Sequence, residues 1–135
     1  MKDYQKTKDN IYLLPQTVYR QALYAIKDLD RLRGKLFYLE EVSSSLKSID
    51  PSELFFCGGS VSDVTGDLAS EMTQTEMRIR AIEKAFRKIP EKYRRGIEEK
   101  LIYDVPYDES QHCINTWKKW QQVLIYHVAT NLQIL

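Results

Sequence analysis

From Val18 the apolar residues return every three or four positions: Val18, Ala22, Ala25, Leu29, Leu32, Leu36 and Leu39. That spacing lines one side of an α-helix and does not fit a strand, whose faces alternate every second residue. The stripe predicts one long helix over 15–44, opened by Pro15, whose missing N–H costs nothing in a first turn. Ile26, Arg33 and Phe37 flank the stripe. Gly34 lies inside it and costs about 1 kcal/mol relative to Ala, so a bend or a close helix contact is expected there. Ser43-Ser-Ser45 and Asp50-Pro51 weaken the helix and end it. A helix this long cannot bury its stripe alone; it needs another helix of this chain or of a second copy.

The same period returns further on. Residues 49–62 read as a loop with an apolar centre, in which Leu54, Phe55 and Phe56 are expected to plug a helix end. Gly58-Gly59 lacks the spacing and the Lys-Ser/Thr of a phosphate loop. Ser62 or Thr65 caps the next helix. Leu68, Met72, Thr75, Ile79, Ile82, Phe86 and Ile89 form its buried side, and Arg78, Arg80, Lys84, Arg87 and Lys88 its wet sides. Pro90 breaks it, because proline lacks a donor and clashes with the preceding turn. A short basic helix follows, with Tyr93, Ile97 and Leu101 toward the core and Arg94, Arg95 and Glu98 away from it.

Pro106 interrupts the pattern. The last helix starts either at Asp108, as N-cap with Gln111 three residues on, or after Cys113. Ile114, Trp117, Gln121, Leu124, Val128 and Leu132 make its stripe. Trp120, Val123, Ile125 and Tyr126 add apolar surface, so the helix is covered on more than one side. The fold class is all-α: a long N-terminal helix, a middle helix and a C-terminal helix-turn-helix-like unit. Two parts are expected, an N-terminal helical arm with its apolar loop over 1–62, and the middle helix with the helix-turn-helix-like region over 63–135.

Several functional classes fit poorly. No apolar run approaches the ~18 residues of a membrane span, and no secretory segment is recognisable, so a cytoplasmic protein is expected. Cys57 and Cys113, the only 2 cysteines, read as free packing thiols. His112 and His127 do not complete a zinc site with them. Glu98 and Glu99 are adjacent and do not project together as an acid–base pair. Glu40, Glu41, Glu71 and Glu76 lack the Glu-x-x-His pattern of a di-iron bundle. No serine has a His/Asp partner pattern. Neither an enzyme nor a cofactor is expected. The first ten residues are polar and read as frayed.

Charge is uneven. Residues 1–35 carry eight Lys/Arg against four Asp/Glu, 36–77 one against eight, and 78–135 eleven against seven. Either the acidic middle neutralises a basic end internally, or one basic face is left to meet phosphate. In the last third, two helices with a short break and basic residues on both sides suggest a reader of double-stranded DNA. Asn115, Thr116, Lys118, Lys119 and Gln122 occupy the first turns of the second helix. Lysine can pair with phosphate or guanine, and Asn or Gln can read adenine. Arg94 and Arg95 would grip the backbone. Trp117 reads as core; Trp120 is open between core packing and a contact surface.

At Ile89-Pro-Glu-Lys-Tyr-Arg-Arg-Gly-Ile97 and from Thr116-Trp-Lys-Lys-Trp-Gln-Gln122 to Leu132, the chain resembles small phage-encoded transcriptional regulators of the RinA/ArpU type. The likeness extends to Val18–Asp30. The resemblance implies a sequence-specific regulator of phage or prophage late genes, with a region similar to the promoter-reading helix-turn-helix of sigma factors. It implies Tyr93–Leu101 as support helix and Thr116, Trp117, Lys118, Lys119 and Gln122 in or near the recognition helix. The recognition helix is less basic than in such regulators, and Asp104, Asp108 and Glu109 surround the turn. A homo-oligomer adding two half-site contacts would offset this, and the N-terminal helices would serve that interface or meet RNA polymerase. The competing reading is a helical phage structural or assembly adaptor that binds protein.

Overall fold

The computed structural model describes residues 5, 10–48 and 61–135, with backbone alone at 47, 48 and 61–65. The helices are α1 (Gln16–Lys27), α2 (Leu29–Ser48), α3 (Val61–Phe86), α4 (Glu91–Tyr103) and α5 (Ile114–Asn131), and no strand occurs among the described residues. The protein is all-α, as its periodicity predicts.

Chain contacts separate two units. One comprises Met1–Asp30 with Arg80–Leu135, and the other Arg31–Ile79. In the first, α1 packs on both α4 and α5, and α4 packs on α5. Its core is built from Tyr19, Ala22, Leu23 and Ile26 of α1, Ile82 and Ala85 of α3, Tyr93, Ile97 and Leu101 of α4, and Trp117, Leu124, Ile125 and Val128 of α5. Each fully buried Leu or Ile contributes about 1.5–3 kcal/mol relative to exposure. In the second unit, Leu32, Leu39, Thr75 and Ile79 are buried. There Lys35 Nζ and Glu71 Oε1 pair at 2.8 Å and link α2 to α3.

The single helix expected over 15–44 is instead two, interrupted at Asp28, whose φ of −86° and ψ of −1° lie at the edge of the helical region. Aspartate is a weak helix-interior residue because its carboxylate competes for nearby backbone donors. The buried side of α1 is also turned from the expected one: Tyr19, Leu23 and Ile26 are buried, whereas Val18 and Ala25 are only partly covered. Ser43-Ser-Ser45 does not end the helix, since α2 runs to Ser48. Gly34 has open space where a side chain would stand, so no close contact explains it. The helical backbone of α3 already includes Ser62 and Thr65, so neither is its cap. The expectations for Asp50-Pro51, Leu54-Phe55-Phe56, Cys57 and Gly58-Gly59 lie outside the described residues.

The N-terminal segment is tied down rather than frayed at Gln5 and Asn10–Leu14. The Gln5 side chain donates to Leu14 O and accepts from Leu14 N, at 3.0 and 2.9 Å. Asn10 Oδ1 accepts from Tyr12 N at 2.9 Å, and Leu14 is buried. This segment crosses α5 at Gln122, whose Nε2 donates to Tyr12 O at 2.7 Å and to Gln5 Oε1 at 3.0 Å.

Candidate nucleic-acid interface

Tight packing surrounds the later turns of α5. Gln122, Val123, Leu124 and Ile125 are all buried, and four successive residues sweep about 300° of a helix. The opening turns present a broad solvent side, on which Asn115, Lys118 and Lys119 are exposed and Thr116 is half-buried; further along, Thr130 is exposed. At about 100° per residue, Asn115, Lys118 and Lys119 fall within one ~100° arc. The helix starts at Ile114, the later of the two starts left open by sequence. Cys113 is the N-cap, makes no side-chain capping bond, and no acidic residue lies in the first turn. Cys113 is an exposed thiol rather than a packing residue.

The connection between α4 and α5 spans 104–113, longer than the 3–4-residue turn of a standard helix-turn-helix. It is an ordered structure in its own right. Asp104 ends α4 in the left-handed conformation at φ 57°, a role usually given to Gly and tolerated by Asp. Its carboxylate lies 3.5 Å from Lys27 Nζ of α1. Asp108, the cap in the earlier of the two starts left open, organises a turn instead. Its carboxylate accepts from the Ser110 N–H and hydroxyl. The Ser110 hydroxyl, then the Ser110 N–H, hold that carboxyl below the usual range. The Asp108 carbonyl accepts the Trp117 indole N–H at 3.1 Å. Tyr107 stacks on Trp117 with ring centroids 4.9 Å apart and donates its hydroxyl to Gln121 Oε1. Burial, then the neighbouring Tyr19, push the Tyr107 phenol far above its ordinary pKa.

Not every basic or amide side chain singled out by sequence reaches solvent here. Arg94 folds back on the end of α3, where its Nε donates to Ile89 O at 2.9 Å and its guanidinium to Arg87 O at 3.2 Å. These carbonyls belong to the turn between α3 and α4, so Arg94 caps that turn rather than standing free as a phosphate clamp. Gln122 is 7% exposed, and its amide is engaged by the N-terminal segment, so no base edge can reach it in this conformation. Arg95 extends from the side of α4 opposite Tyr93, Ile97 and Leu101, pairing with Glu99 at 3.1 Å while its side chain stays 90% exposed. Asn115, Lys118 and Lys119 are the residues brought together.

Sequence reasoning missed an aromatic cluster beside them. Tyr93 stacks on Trp120 at 5.7 Å between centroids, meets Trp117 edge-on at 5.5 Å, and touches the His112 ring at 4.6 Å. The i,i+3 spacing of Trp117 and Trp120 hints at shared placement, but Tyr93 and His112 arrive from separate segments. Gly96 lets α4 approach: a Cβ there would lie 2.5 Å from Trp117 Cη2.

Among the described residues, no helix is long and apolar enough to cross a membrane, and no group of three His, Cys, Asp or Glu stands ready for a metal. The chain matches no family model, no curated protein and no solved structure.

Proposed function

We propose that this protein is a sequence-specific binder of double-stranded DNA that regulates transcription, and that it docks through the opening turns of α5. The observation that carries the reading is the exposure of Asn115, Lys118 and Lys119 on one arc of a helix whose other side, Trp117, Gln122–Ile125, Val128 and Ala129, is buried in the core. A helix entering the major groove needs this division: its first turns contact bases and phosphates, and its buried side fixes their position. Lys118 and Lys119 supply phosphate or guanine contacts and Asn115 an adenine contact. Thr116 stands beside them. Arg95 serves as a backbone contact from α4. Arg94 and Gln122 support the fold instead. The resemblance to phage late-gene regulators supports reading that setting for it, with a second copy of the chain and RNA polymerase as the partners proposed.

Lys118→Glu with Lys119→Glu, in a gel shift at low salt on DNA flanking the native gene, is the direct test. The double variant is expected to keep its helical circular dichroism and lose the shifted band. Wild-type protein that prefers no such fragment over random DNA refutes specific binding.

The exposed Phe37 and Tyr38 of α2 and Met77 of α3, at 65%, 65% and 64% exposure, favour a second reading as a helical adaptor for another protein. In that case the lysine double variant leaves function unchanged, whereas Phe37→Ser with Tyr38→Ser abolishes it.

A further inference from the structure

The aromatic cluster continues to the surface at Trp120, and nothing in the duplex reading uses its ring. Trp120 is half-buried, in contrast to Trp117, which is almost fully enclosed. One face of its indole lies on Tyr93, with the planes inclined by only 25°. Tyr93 is itself 7% exposed and is wedged by Trp117 and His112. The Trp120 ring therefore rests on a rigid stack and cannot turn inward to hide. An ammonium group lies over each ring: Lys119 Nζ over Trp120, 5.0 Å from its centroid, and Lys92 Nζ over Tyr93, 5.1 Å from its centroid, so a base that stacks on Trp120 draws the Lys119 ammonium off the ring toward its phosphates.

A braced indole with one cation over its ring and another over its backing tyrosine suits a ligand that is flat, π-faced and tied to negative charge. An unpaired nucleobase with its own phosphates has all three properties. A base within a duplex offers only its edge, because its faces are covered by neighbouring pairs. An acidic peptide would satisfy the lysines but leave the ring without a stacking partner. We propose that Trp120, backed by Tyr93 and flanked by Lys92 and Lys119, is a stacking platform for an unpaired base of single-stranded nucleic acid. The platform goes beyond the duplex reading and shares only Lys119 with it.

The test is fluorescence anisotropy with the full chain at low salt. The probes are a labelled twelve-residue oligothymidylate, an abasic strand with the same phosphates, and a duplex of equal length. The base-bearing strand is expected to bind roughly 5- to 150-fold tighter than the abasic one, the range of one base–aromatic stack. Trp120→Leu should lose that preference and Trp120→Phe should keep most of it. The comparison of the two strands on wild-type protein needs no variant, so a folding defect in Trp120→Leu does not spoil it. Equal affinity for the two strands overturns the platform. So does polyglutamate competing as well as oligothymidylate, or thymidine monophosphate displacing the strand at equal base concentration. Duplex binding without any base-dependent strand binding removes the platform and leaves the duplex reading standing; the opposite pattern removes the duplex reading and keeps the platform.

Discussion

Replacing Gly96 by alanine should destabilise the protein, although alanine is the better helix former by about 1 kcal/mol. The new methyl carbon would stand 2.5 Å from Trp117 Cη2 and 2.7 Å from Cζ3. Ordinary carbon–carbon contact is about 3.5–4.0 Å, so the ring must retreat by roughly 1 Å. It has no easy way out. Tyr107 is stacked on it nearly parallel, at 7° between planes, Tyr93 and His112 press on it edge-on, and its indole N–H is held by Asp108 O. Moving the ring weakens a hydrogen bond worth about 0.5–1.5 kcal/mol and aromatic contacts worth about as much. Overpacking in well-filled cores costs about 1–3 kcal/mol, so the helix gain is outweighed by up to about 2 kcal/mol. For a chain of this length that lowers the melting temperature by roughly 3–4 °C per kcal/mol. Gly34→Ala is the control. It lies within α2 with nothing within 4 Å of the added atom, and should raise stability. Thermal unfolding followed by far-UV circular dichroism and by tryptophan fluorescence reads both. A Gly96→Ala variant melting at or above wild type would refute the claim that Trp117 is immobile.

Gln122→Ala should cost about 1–3 kcal/mol in urea unfolding, because it strips the amide that holds Tyr12 O and Gln5 together; unchanged stability would mean that the segment docks without it. Acid should weaken the fold through His127, whose pKa is held below 6.5 by burial first and by Lys88 second. The unfolded chain then binds the proton more readily, so this contribution is intact above about pH 6.5 and is lost as pH falls through the lower, folded value. His127→Gln should flatten that part of the stability–pH curve, and a profile identical to wild type would contradict it. Arg94→Ala should lower the melting temperature by freeing the carbonyls of Arg87 and Ile89, whereas Arg95→Ala should leave it within error, since exposed ion pairs contribute about 0–1 kcal/mol. Equal losses for the two would overturn the distinction between cap and surface group.

Residues close together in sequence can thus have opposite fates. Arg94 and Arg95 look alike in the basic run, and Lys119 and Gln122 look alike as candidate contacts. Their difference depends on neighbours brought from far along the chain: the end of α3 for Arg94, and Gln5 with Tyr12 for Gln122. Trp117 was recognisable as core from its own helix. The rigid support under Trp120 was not, because it needs Tyr93 and His112 to converge.

Periodicity and proline placement by themselves determined that the protein is helical, where α4 begins after Pro90, and that Tyr93, Ile97 and Leu101 form one buried face. Those features arise from interactions within a few residues, which local sequence encodes directly. The buried side of α1, the ordered loop over 104–113 and the choice of which polar groups meet solvent were decided only by tertiary structure. Each depends on desolvation and hydrogen bonding between segments distant in the chain, and a one-dimensional pattern carries no record of which segments meet.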